Sequence, residues 1–292
     1  MDSRGRHSPP ISAMTSPLVV FTTDFGLSDP YVGVIKGVAL SINPNLRLID
    51  LTHQISPQNV AQGSFLLDFN HRYFPKEAIH VAVVDPGVGT GRRPVFLSTP
   101  WGRFVGPDNG LLSGVISDYL DSEPKTAGPI NLPTGLTAVH LTNPDYWRHP
   151  VSHTFHGRDV FTPVAAHLSL GVATKELGES LDSLFYLPVP KPAKNGGTST
   201  GQVIYQDTYG NLVTNIPAES LPQPELIEVR IKGRSIVGLS RTFNDETYAT
   251  DTGLIALTAS HGYLEIALAN GSAADMLSAG EGEVVQVGIL SG

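Results

Sequence analysis

The hydrophobic pattern changes about two thirds of the way along the chain, and this change most constrains the fold. From Leu18 to about Leu184, short apolar runs alternate with segments of helical period, which is typical of a parallel sheet covered by helices. Further on the period becomes two, and Ile227, Val229 and Ile231 alternate with charged residues, as in half-exposed strands. The pattern predicts a layered α/β domain with a mostly parallel sheet, followed by a small antiparallel β domain.

Two breaks in this pattern delimit the predicted domains. The segment Tyr186–Thr200, YLPVPKPAKNGGTST, contains three prolines and two glycines without an apolar period, which is typical of a linker. The first 17 residues have no apolar stretch of the kind found in secretory signals, and we expect them to be disordered. The prediction is a tail over 1–17, a Rossmann-like α/β domain over 18–185, a linker over 186–200 and a β-barrel-like domain over 201–292.

The composition excludes several kinds of site and partner. A formal net charge of −8 repels nucleic acids and anionic membranes, so we expect neither as a partner. The chain has no cysteine, which excludes disulfides, thiolate metal ligands and a thiol nucleophile. No segment approaches the roughly 20 apolar residues of a membrane span. We therefore expect a cytoplasmic protein whose chemistry relies on oxygen and nitrogen groups.

Two aspartates follow predicted buried strands directly. The run Leu18–Thr23 reads as a strand that ends before Asp24, and Ile79–Val84 reads as a strand that ends before Asp85. In open α/β sheets, ligands bind beyond the carboxyl ends of the strands. The two carboxylates are therefore candidates for one ligand cleft, although each could instead cap a turn.

Two predicted helices accompany these strands. Tyr31–Ile42 has apolar residues at helical spacing and completes a βα unit with the first strand. A second helix is predicted over Asp159–Leu170, with Asp159 as its N-cap and Gly171 as its stop signal. His156 is expected just ahead of that helix.

Common cofactor and metal motifs fit the sequence poorly. The glycines of Gly87–Gly91 have the spacing G-x-G-x-G rather than the G-x-G-x-x-G of dinucleotide-binding loops. His149, His153 and His156 lie close together, but Pro150 interrupts them and no acidic ligand is interleaved. We therefore expect neither a nicotinamide cofactor nor a metal ion.

Seven segments resemble one known family in order along the chain. They are Thr22–Gly26 (TTDFG), Val84–Thr90 (VDPGVGT), Gly106–Leu112 (GPDNGLL), Thr154–Asp159 (TFHGRD), Asp207–Asn211 (DTYGN), Thr214–Ile216 (TNI) and Ser260–Ala267 (SHGYLEIA). Together they resemble the SAM hydroxide adenosyltransferases, the hydrolytic relatives of fluorinase. The resemblance covers nearly everything after the tail and implies an enzyme that splits S-adenosyl-L-methionine (SAM) with water into adenosine and L-methionine.

The resemblance also implies the residues that activate the water. The family uses an aspartate, an arginine seven residues later and the histidine of the F-H-G-R-D motif, which correspond here to Asp85, Arg92 and His156. Taken from the residues alone, Arg92 could be a solvated loop charge, and His156 could bond a backbone carbonyl. Which of the three accepts the proton stays open at this point.

Four further residues correspond to substrate contacts of the family. Asp24 matches the carboxylate that binds the ribose diol, Asp207 the acid that holds the methionine amine, and Asn211 the amide that reads adenine. Ser260 matches the residue that hydrogen-bonds the methionine carboxylate. Asn211 could alternatively serve only its turn, and His261 replaces an arginine of fluorinase, which changes the surroundings of the substrate carboxylate.

The resemblance implies no cofactor, because SAM itself is the substrate, and it implies a homotrimer. In that assembly the N-terminal domain of one subunit and the C-terminal domain of its neighbour form each site. The sulfonium of SAM is an excellent leaving group, so the reaction depends on activating a water whose pKa is near 15.7.

Two other functions compete with SAM hydrolysis. A fluorinase-type halogenase is opposed by Gly157, which stands where fluorinase has a halide-contacting serine, and by the short segment 93–106, which lacks fluorinase's extra loop. A SAM- or adenosine-binding protein with little turnover is opposed by the presence of Asp85, Arg92 and His156.

Overall fold

The computed structural model describes residues 16–221, 227–245 and 250–290. It divides the chain into two compact units, Met1–Leu187 and Pro188–Gly292. Residues 1–15 of the predicted tail lie outside the described residues. The segment predicted as a linker holds the boundary between the units, and it also contains the short strand Ala193–Asn195 and the start of the strand Thr198–Gln206.

The described part of the N-terminal unit alternates strands and helices. Its strands are β1 (Leu18–Thr23), β2 (Arg47–Thr52), β3 (Ile79–Val83), β4 (Pro94–Thr99), β5 (Gly102–Pro107), β6 (Gly128–Asn131), β7 (Thr137–Leu141), β8 (Gly178–Leu181) and β9 (Ser183–Tyr186). Its helices are α1 (Tyr31–Ile42), α2 (Val60–His71), α3 (Ser113–Ser117) and α4 (Thr162–Ser169), with a π-helical turn at Gly157–Phe161 and 3₁₀ turns at Pro144–Tyr146 and Thr174–Glu176.

The main sheet of this unit is mixed but mostly of one direction. Its strand order is β2-β1-β3-β5-β4-β7-β8. The first four strands are parallel, and β4, β7 and β8 follow as antiparallel neighbours. Five of the seven strands therefore run the same way, which confirms the prediction of a mostly parallel sheet.

Helices cover both faces of the sheet. On one face, α1 and α4 contribute Ile35, Ala39 and Val164 to a buried cluster with the β1 residues Val19 and Phe21. On the other face, Leu67 of α2 and Ile116 of α3 belong to a second cluster. Because the strands are buried from both sides, β1 consists of apolar residues and threonine throughout. This arrangement confirms the layered α/β domain.

The predicted elements of this unit agree with the structure except near His156. β1 and α1 have the predicted bounds, and β3 ends one residue earlier than predicted. The predicted helix Asp159–Leu170 is wrong in its start, because the π-helical turn begins at Gly157 and α4 begins at Thr162. Asp159 is not an N-cap. It is buried inside the π-helical turn, where arginines neutralise its carboxylate.

The described part of the C-terminal unit is an antiparallel β structure. Its strands are β10 (Ala193–Asn195), β11 (Thr198–Gln206), β12 (Leu212–Pro217), β13 (Ile227–Ile231), β14 (Arg234–Val237), β15 (Leu254–Thr258), β16 (Tyr263–Leu268) and β17 (Val284–Ile289), with a 3₁₀ turn at Ala218–Ser220 and the helix α5 (Ala273–Leu277). The strand order is β14-β13-β17-β11-β12-β16-β15, with β10 beside β11. This nearly closed antiparallel sheet confirms the β-barrel-like prediction.

In the three described ranges, no helix has the length and apolar character that a membrane crossing requires.

One buried histidine of the sheet makes stability depend on pH. His80 of β3 stacks on Phe104 with ring centroids 4.9 Å apart, and Phe74 lies edge-on at 5.5 Å. Neither ring nitrogen has a hydrogen-bond partner among the described residues. Burial first, and the neighbouring His71 second, lower the pKa of His80 to about 3. The imidazole is therefore neutral in the folded protein at pH values where an unfolded chain would protonate it.

We expect the wild-type protein to lose stability as the pH falls from about 6 towards 4. The unfolded chain binds a proton at His80 near pH 6.5, whereas the folded chain does not, so this residue lowers the free energy of unfolding by about 1.4 kcal/mol per pH unit. The variant His80→Phe should lack this share of the slope in urea unfolding followed at pH 6, 5 and 4. Equal slopes in both proteins would contradict the assignment.

Candidate active site

Two loops that carry predicted site residues meet at the carboxyl edge of the main sheet. β1 and β3 are parallel neighbours, and their last residues, Thr23 and Val83, are paired. Asp24 directly follows β1, and Asp85 is the second residue after β3. The sheet topology therefore places both carboxylates at one edge, as the strand-end argument predicts.

The Asp24 carboxylate is half-buried and has one backbone partner in the next loop. The backbone amide of Gln58 donates to its Oδ2 at 2.8 Å. Burial raises the pKa of Asp24, and the nearby charge of Asp85 raises it further, while the bond from Gln58 opposes both effects. The carboxylate is thus poorly solvated and can accept further hydrogen bonds from a ligand.

Asp85, Arg92 and His156 form one hydrogen-bonded cluster. Nε of Arg92 donates to Oδ1 of Asp85 at 2.8 Å, and Nη2 of Arg92 donates to Oδ2, so the carboxylate is held by two parallel bonds. The same Nη2 lies 2.9 Å from Nδ1 of His156. The side chains of Arg92 and Asp85 are only 8% and 5% exposed. The structure thus joins the three residues that the resemblance predicts as the water-activating set.

The contact with Arg92 fixes the protonation state of His156. A guanidinium has only donors, so Nδ1 of His156 must accept, and the ring proton of the neutral imidazole lies on Nε2. Burial lowers the pKa of His156, and the positive charge of Arg92 lowers it further, although Asp85 partly opposes the shift. His156 is therefore a neutral donor through Nε2 at neutral pH.

One donor of Arg92 has no use in the cluster. Its Nη1 is buried and has no hydrogen-bond partner within the described ranges. Buried donors of this kind normally bind a water or a ligand atom.

A glycine brings the loop of Arg92 close to the segment of His156. Gly89 has φ +77°, and a Cβ built on it would lie 2.4 Å from the carbonyl oxygen of His153. A larger side chain would push the two segments apart and strain the backbone. Gly89 is therefore required by this close approach.

Buried Asp159 holds the start of the π-helical turn beside the cluster. Its carboxylate accepts from Nε and Nη2 of Arg158, each at 2.7 Å, and from Nη1 of Arg148 at 3.3 Å. The backbone amide of Ser152 donates to the same carboxylate at 2.9 Å. These bonds clamp the chain on both sides of His156, so its ring position depends on a charge network in the adjacent turn.

A cavity of about 200 Å³ opens onto this cluster. Asp24, Asp85 and His156 line it together with two aromatic rings, Phe25 and Phe155, whose centroids are 5.7 Å apart. The remaining lining residues are Gln58, Val83, Pro86, Val88, Thr154 and Gly157. Two carboxylates and an imidazole therefore share a pocket with aromatic and aliphatic side chains.

The predicted binding residues of the C-terminal unit line a separate, larger cavity of about 1000 Å³. Asp207 and Asn211 lie at the two ends of the turn between β11 and β12, and Nδ2 of Asn211 donates to Oδ2 of Asp207 at 2.8 Å. The backbone amides of Tyr209 and Asn211 donate to Oδ1 of Asp207, each at 2.9 Å. The turn therefore uses one N–H of the Asn211 amide and leaves its second N–H and its oxygen for a ligand.

Ser260 lines the same cavity from the turn between β15 and β16 and is exposed. Its neighbour His261 lies 3.7 Å from the buried carboxylate of Glu265. The structure thus brings Asp207, Asn211 and Ser260 together in one unit, and Asp24, Asp85, Arg92 and His156 together in the other.

The sequence reasoning did not identify several residues that support this site. The sequence predicts Asp159 as a helix cap and gives no indication of a role for Arg148, His53 or Asp50. The arginine partners of Asp159 are Arg158, one position away in sequence, and Arg148, 11 positions away. The adjacent Arg158-Asp159 pair near a predicted helix start is the sequence feature that indicates such an ion pair. In the described ranges, no group of three histidine or acidic side chains is arranged to hold a metal ion.

These features define a class of protein, an α/β enzyme with a buried carboxylate–guanidinium–imidazole cluster at the edge of its sheet and a second binding domain of antiparallel strands. Comparison with known families is more specific. The model of the SAM hydroxide adenosyltransferase N-terminal domain matches residues 19–178, and that of the C-terminal domain matches residues 201–286. The chain belongs to the SAM hydroxide adenosyltransferase family.

Relatives of both kinds support this membership. The (R)-S-adenosyl-L-methionine hydrolase of Salinispora arenicola is 39% identical over 278 residues, which cover 94% of this chain and 98% of the relative. A fluorinase of Actinoplanes sp. is 27% identical over 69% of this chain and 72% of its own length. The crystal structure of an uncharacterized conserved protein from Thermotoga maritima superposes with a TM-score of 0.79 at 35% identity, covering 92% of this chain and 99% of that chain.

The arrangement predicts how His156 titrates. In the wild-type protein, its ring signals in an NMR pH titration should move at a pH below the ordinary histidine value of about 6.5. In Arg92→Gln the midpoint should rise, because the second cause of the lowered pKa is removed while burial remains. Arg93→Gln is the matched control, since Arg93 binds Asp108 instead. An unchanged titration midpoint in Arg92→Gln would contradict the contact between Arg92 and His156.

Proposed function

We propose that this enzyme hydrolyses S-adenosyl-L-methionine to adenosine and L-methionine, with a water held by Asp85, Arg92 and His156. The observation that carries the proposal is the cluster itself: a buried bidentate ion pair and a neutral imidazole, whose Asp85 and His156 line a pocket. Family membership and hydrolase relatives at 31–39% identity supply the substrate.

The reaction is a displacement at the ribose C5′. The water oxygen forms a bond to C5′ while the C5′–S bond breaks. The electron pair of the C5′–S bond stays on sulfur, so the sulfonium becomes the neutral thioether of methionine. The water loses one proton, so that the products are adenosine and methionine. Because a developing hydroxide and a sulfonium lose their charges together, a pocket with apolar walls favours the transition state over the separated ions.

The hydrogen-bond directions assign the roles within the cluster. His156 carries its ring proton on Nε2 and lines the cavity, so it can donate to the water oxygen, while Arg92 acts through its positive charge on the Nδ1 side of the ring. Asp85 is the acceptor of the three, because its two bonds from Arg92 leave lone pairs unused. Asp85 therefore accepts the proton, while the guanidinium stabilises the developing hydroxide.

The remaining predicted residues suit the parts of SAM. Asp24 beside Asp85 can accept both hydroxyls of a ribose whose C5′ faces the cluster. Asp207 keeps an acceptor position for the methionine ammonium beyond its three bonds to the turn. The free oxygen of Asn211 suits the exocyclic amine of adenine, and the exposed hydroxyl of Ser260 can donate to the methionine carboxylate.

Water is favoured over halide as the nucleophile. Gly157 lines the pocket without a side chain, and a Cβ built there would lie 3.1 Å from the ring of Phe25. The position therefore offers no hydroxyl to a halide ion. The hydrolase relatives are also more similar to this chain than the fluorinase of Actinoplanes sp. is.

The direct test is incubation with SAM as the sole substrate, followed by chromatography. We expect adenosine and methionine in equal amounts, and we expect the same products when chloride or fluoride is added in excess. A 5′-haloadenosine as the main product would identify a halogenase instead. Because the relatives are named for the (R) compound, both sulfonium epimers are assayed separately.

Variants of the cluster separate catalysis from binding. Asp85→Ala and His156→Ala should bind SAM in calorimetry yet lose adenosine release by roughly 10²- to 10⁴-fold, as expected for loss of acid–base and water-holding groups. Retained turnover in both variants would refute the assigned roles. Wild-type protein that binds SAM and releases no adenosine would instead favour the binding-protein alternative.

The assembly and setting follow from the family resemblance. We propose a homotrimer in which each site combines the N-terminal unit of one subunit with the C-terminal unit of its neighbour, and a cytoplasmic enzyme that needs no cofactor. The support is chemical: the cluster lies in one unit, the candidate adenine and methionine contacts lie in the other, and the sulfonium already supplies the leaving group.

Subunit complementation tests the shared site. Asp85→Ala and Asp207→Ala, each inactive alone, are co-expressed in equal amounts with different tags. If sites combine neighbouring subunits, about one quarter of them receive two intact halves, so about one quarter of the wild-type specific activity should return. Sites formed within single subunits would give no recovery, and light scattering of the purified protein checks the trimer.

A further inference from the structure

A chain of polar side chains runs behind the candidate ribose carboxylate. Oγ1 of Thr23 and Nδ1 of His53 are 2.7 Å apart, and Nε2 of His53 lies 3.0 Å from Oδ1 of Asp50. Nζ of Lys36 donates to Oδ2 of the same aspartate at 2.6 Å. The chain Lys36–Asp50–His53–Thr23, called the relay below, thus leads from the protein surface to the residue before Asp24.

The relay is buried at its inner end and open at its outer end. Thr23 is fully buried and the His53 side chain is 2% exposed, whereas the side chains of Asp50 and Lys36 are 35% and 29% exposed. Although partial burial opposes ionisation, the contacts with Lys36 and then with His53 hold the pKa of Asp50 below its usual range. Asp50 is therefore a fixed negative end for the relay.

The contacts of the relay favour one tautomer of His53. The backbone amide of Phe25 donates to Oγ1 of Thr23 at 3.1 Å, and the hydroxyl of Thr23 also contacts Nδ1 of His53, to which it donates when the ring proton lies on Nε2. The anionic Asp50, whose Oδ1 lies 3.0 Å from Nε2 of His53, favours the ring proton on Nε2, although the two atoms are not aligned for a hydrogen bond. Although this resembles a nucleophile–base arrangement, Thr23 is fully buried and does not line the cavity.

The relay fixes the backbone on the far side of Asp24. Phe25 bonds to Thr23, and the amide of Gly26, which has φ +67°, donates to the carbonyl oxygen of His53 at 2.8 Å. Asp24 lies between these two anchored positions. Its own carboxylate meets the amide of Gln58 on the other side, so the turn is bonded to two segments of the chain.

A bulge in β2 directs the outer half of the relay. Phe21 pairs with Asp50, but Thr22 pairs with Thr52, so Leu51 is an extra residue at this point. Bulges bend a strand and redirect its side chains, and they are frequent beside active sites. The irregularity lies directly beside Asp50, where the relay begins.

From this geometry we infer that Thr23, His53 and Asp50 are positioning residues that set the direction of the Asp24 carboxylate and thereby the recognition of the ribose diol. The inference rests on the proposed function, in which Asp24 binds that diol. Without the relay, the turn at Asp24 would lose the hydrogen bonds that join the Thr23 hydroxyl to the Phe25 amide and to the His53 ring.

The test compares adenosine with 2′-deoxyadenosine by calorimetry on the full chain. Thr23→Val removes one hydroxyl at nearly constant volume. We expect it to weaken adenosine binding roughly tenfold, as for loss of a buried hydrogen bond, and to weaken binding of 2′-deoxyadenosine, which keeps only the 3′-hydroxyl for Asp24, by clearly less. Thr23→Ser, which keeps the hydroxyl, should retain the wild-type preference for adenosine. General destabilisation of the fold would instead weaken the binding of adenosine and of 2′-deoxyadenosine by the same factor.

Thr22→Val is the matched control. It makes the same substitution one residue earlier on β1, where Oγ1 is buried and has no hydrogen-bond partner in the described part of the chain. We expect the wild-type preference in this variant. Asp50→Asn, on the exposed edge strand, is the second probe should Thr23→Val fold poorly, and it should reduce the preference in the same direction.

Asp24→Ala separates the two levels of the inference. If Asp24→Ala keeps the wild-type preference for adenosine, the ribose assignment is wrong and the relay inference is wrong with it. If Asp24→Ala loses the preference while Thr23→Val and Asp50→Asn keep it, the relay inference alone is overturned. Loss of the preference in all three, with Thr22→Val unchanged, supports the inference.

Discussion

The buried contact of the Arg92 guanidinium with Asp85 and His156 is the interaction on which the site depends. Removing two charges from water is costly, and a bidentate geometry with further hydrogen bonds is what offsets that cost. Here the guanidinium supplies both: two donors bind Asp85 and one also reaches His156. The same contact sets the protonation of the imidazole and joins the loop after β3 to the π-helical turn. Each neighbouring feature of the N-terminal unit serves to keep these three groups in place.

That requirement accounts for features that are otherwise unfavourable. A buried Asp159 with two arginine partners and a glycine at φ +77° contribute little to the stability of an α/β domain by themselves. Asp159 clamps the segment that carries His156, and Gly89 lets the loop of Arg92 approach it. The relay behind Asp24 follows the same pattern, with a buried histidine and a β-bulge fixing one turn. Polar networks of this kind favour one arrangement of a site, because partly satisfied alternatives cost more in a poorly solvated interior.

The sequence predicts the regular parts of this fold well and the supporting contacts poorly. β1 and α1 have their predicted bounds because an uninterrupted apolar run and a 3.6-residue period are local properties. The start of the helix after His156 was wrong, because Arg148, 11 residues away, and Ser152 hold Asp159 inside the turn. Asp24 and Asp85 could be placed at one sheet edge from strand order, whereas the bond between Thr23 and His53 joins residues 30 positions apart and has no local signal. SAM as the substrate follows from the family resemblance, because no spacing of residues in the sequence by itself indicates this ligand.

The C-terminal unit shows how a turn can orient the groups that meet a ligand. An asparagine amide offers both donors and an acceptor, and so does not by itself distinguish ligand groups. In this chain Asp207 accepts from one N–H of Asn211, so the turn fixes the plane of the amide and with it the directions of its oxygen and its second N–H. Asp207 accepts three hydrogen bonds from its own turn and keeps a further acceptor position for an ammonium group. Asp207 and Asn211 therefore both close the turn and offer groups to a ligand, because the hydrogen bonds that close the turn also orient the atoms that would bind the ligand.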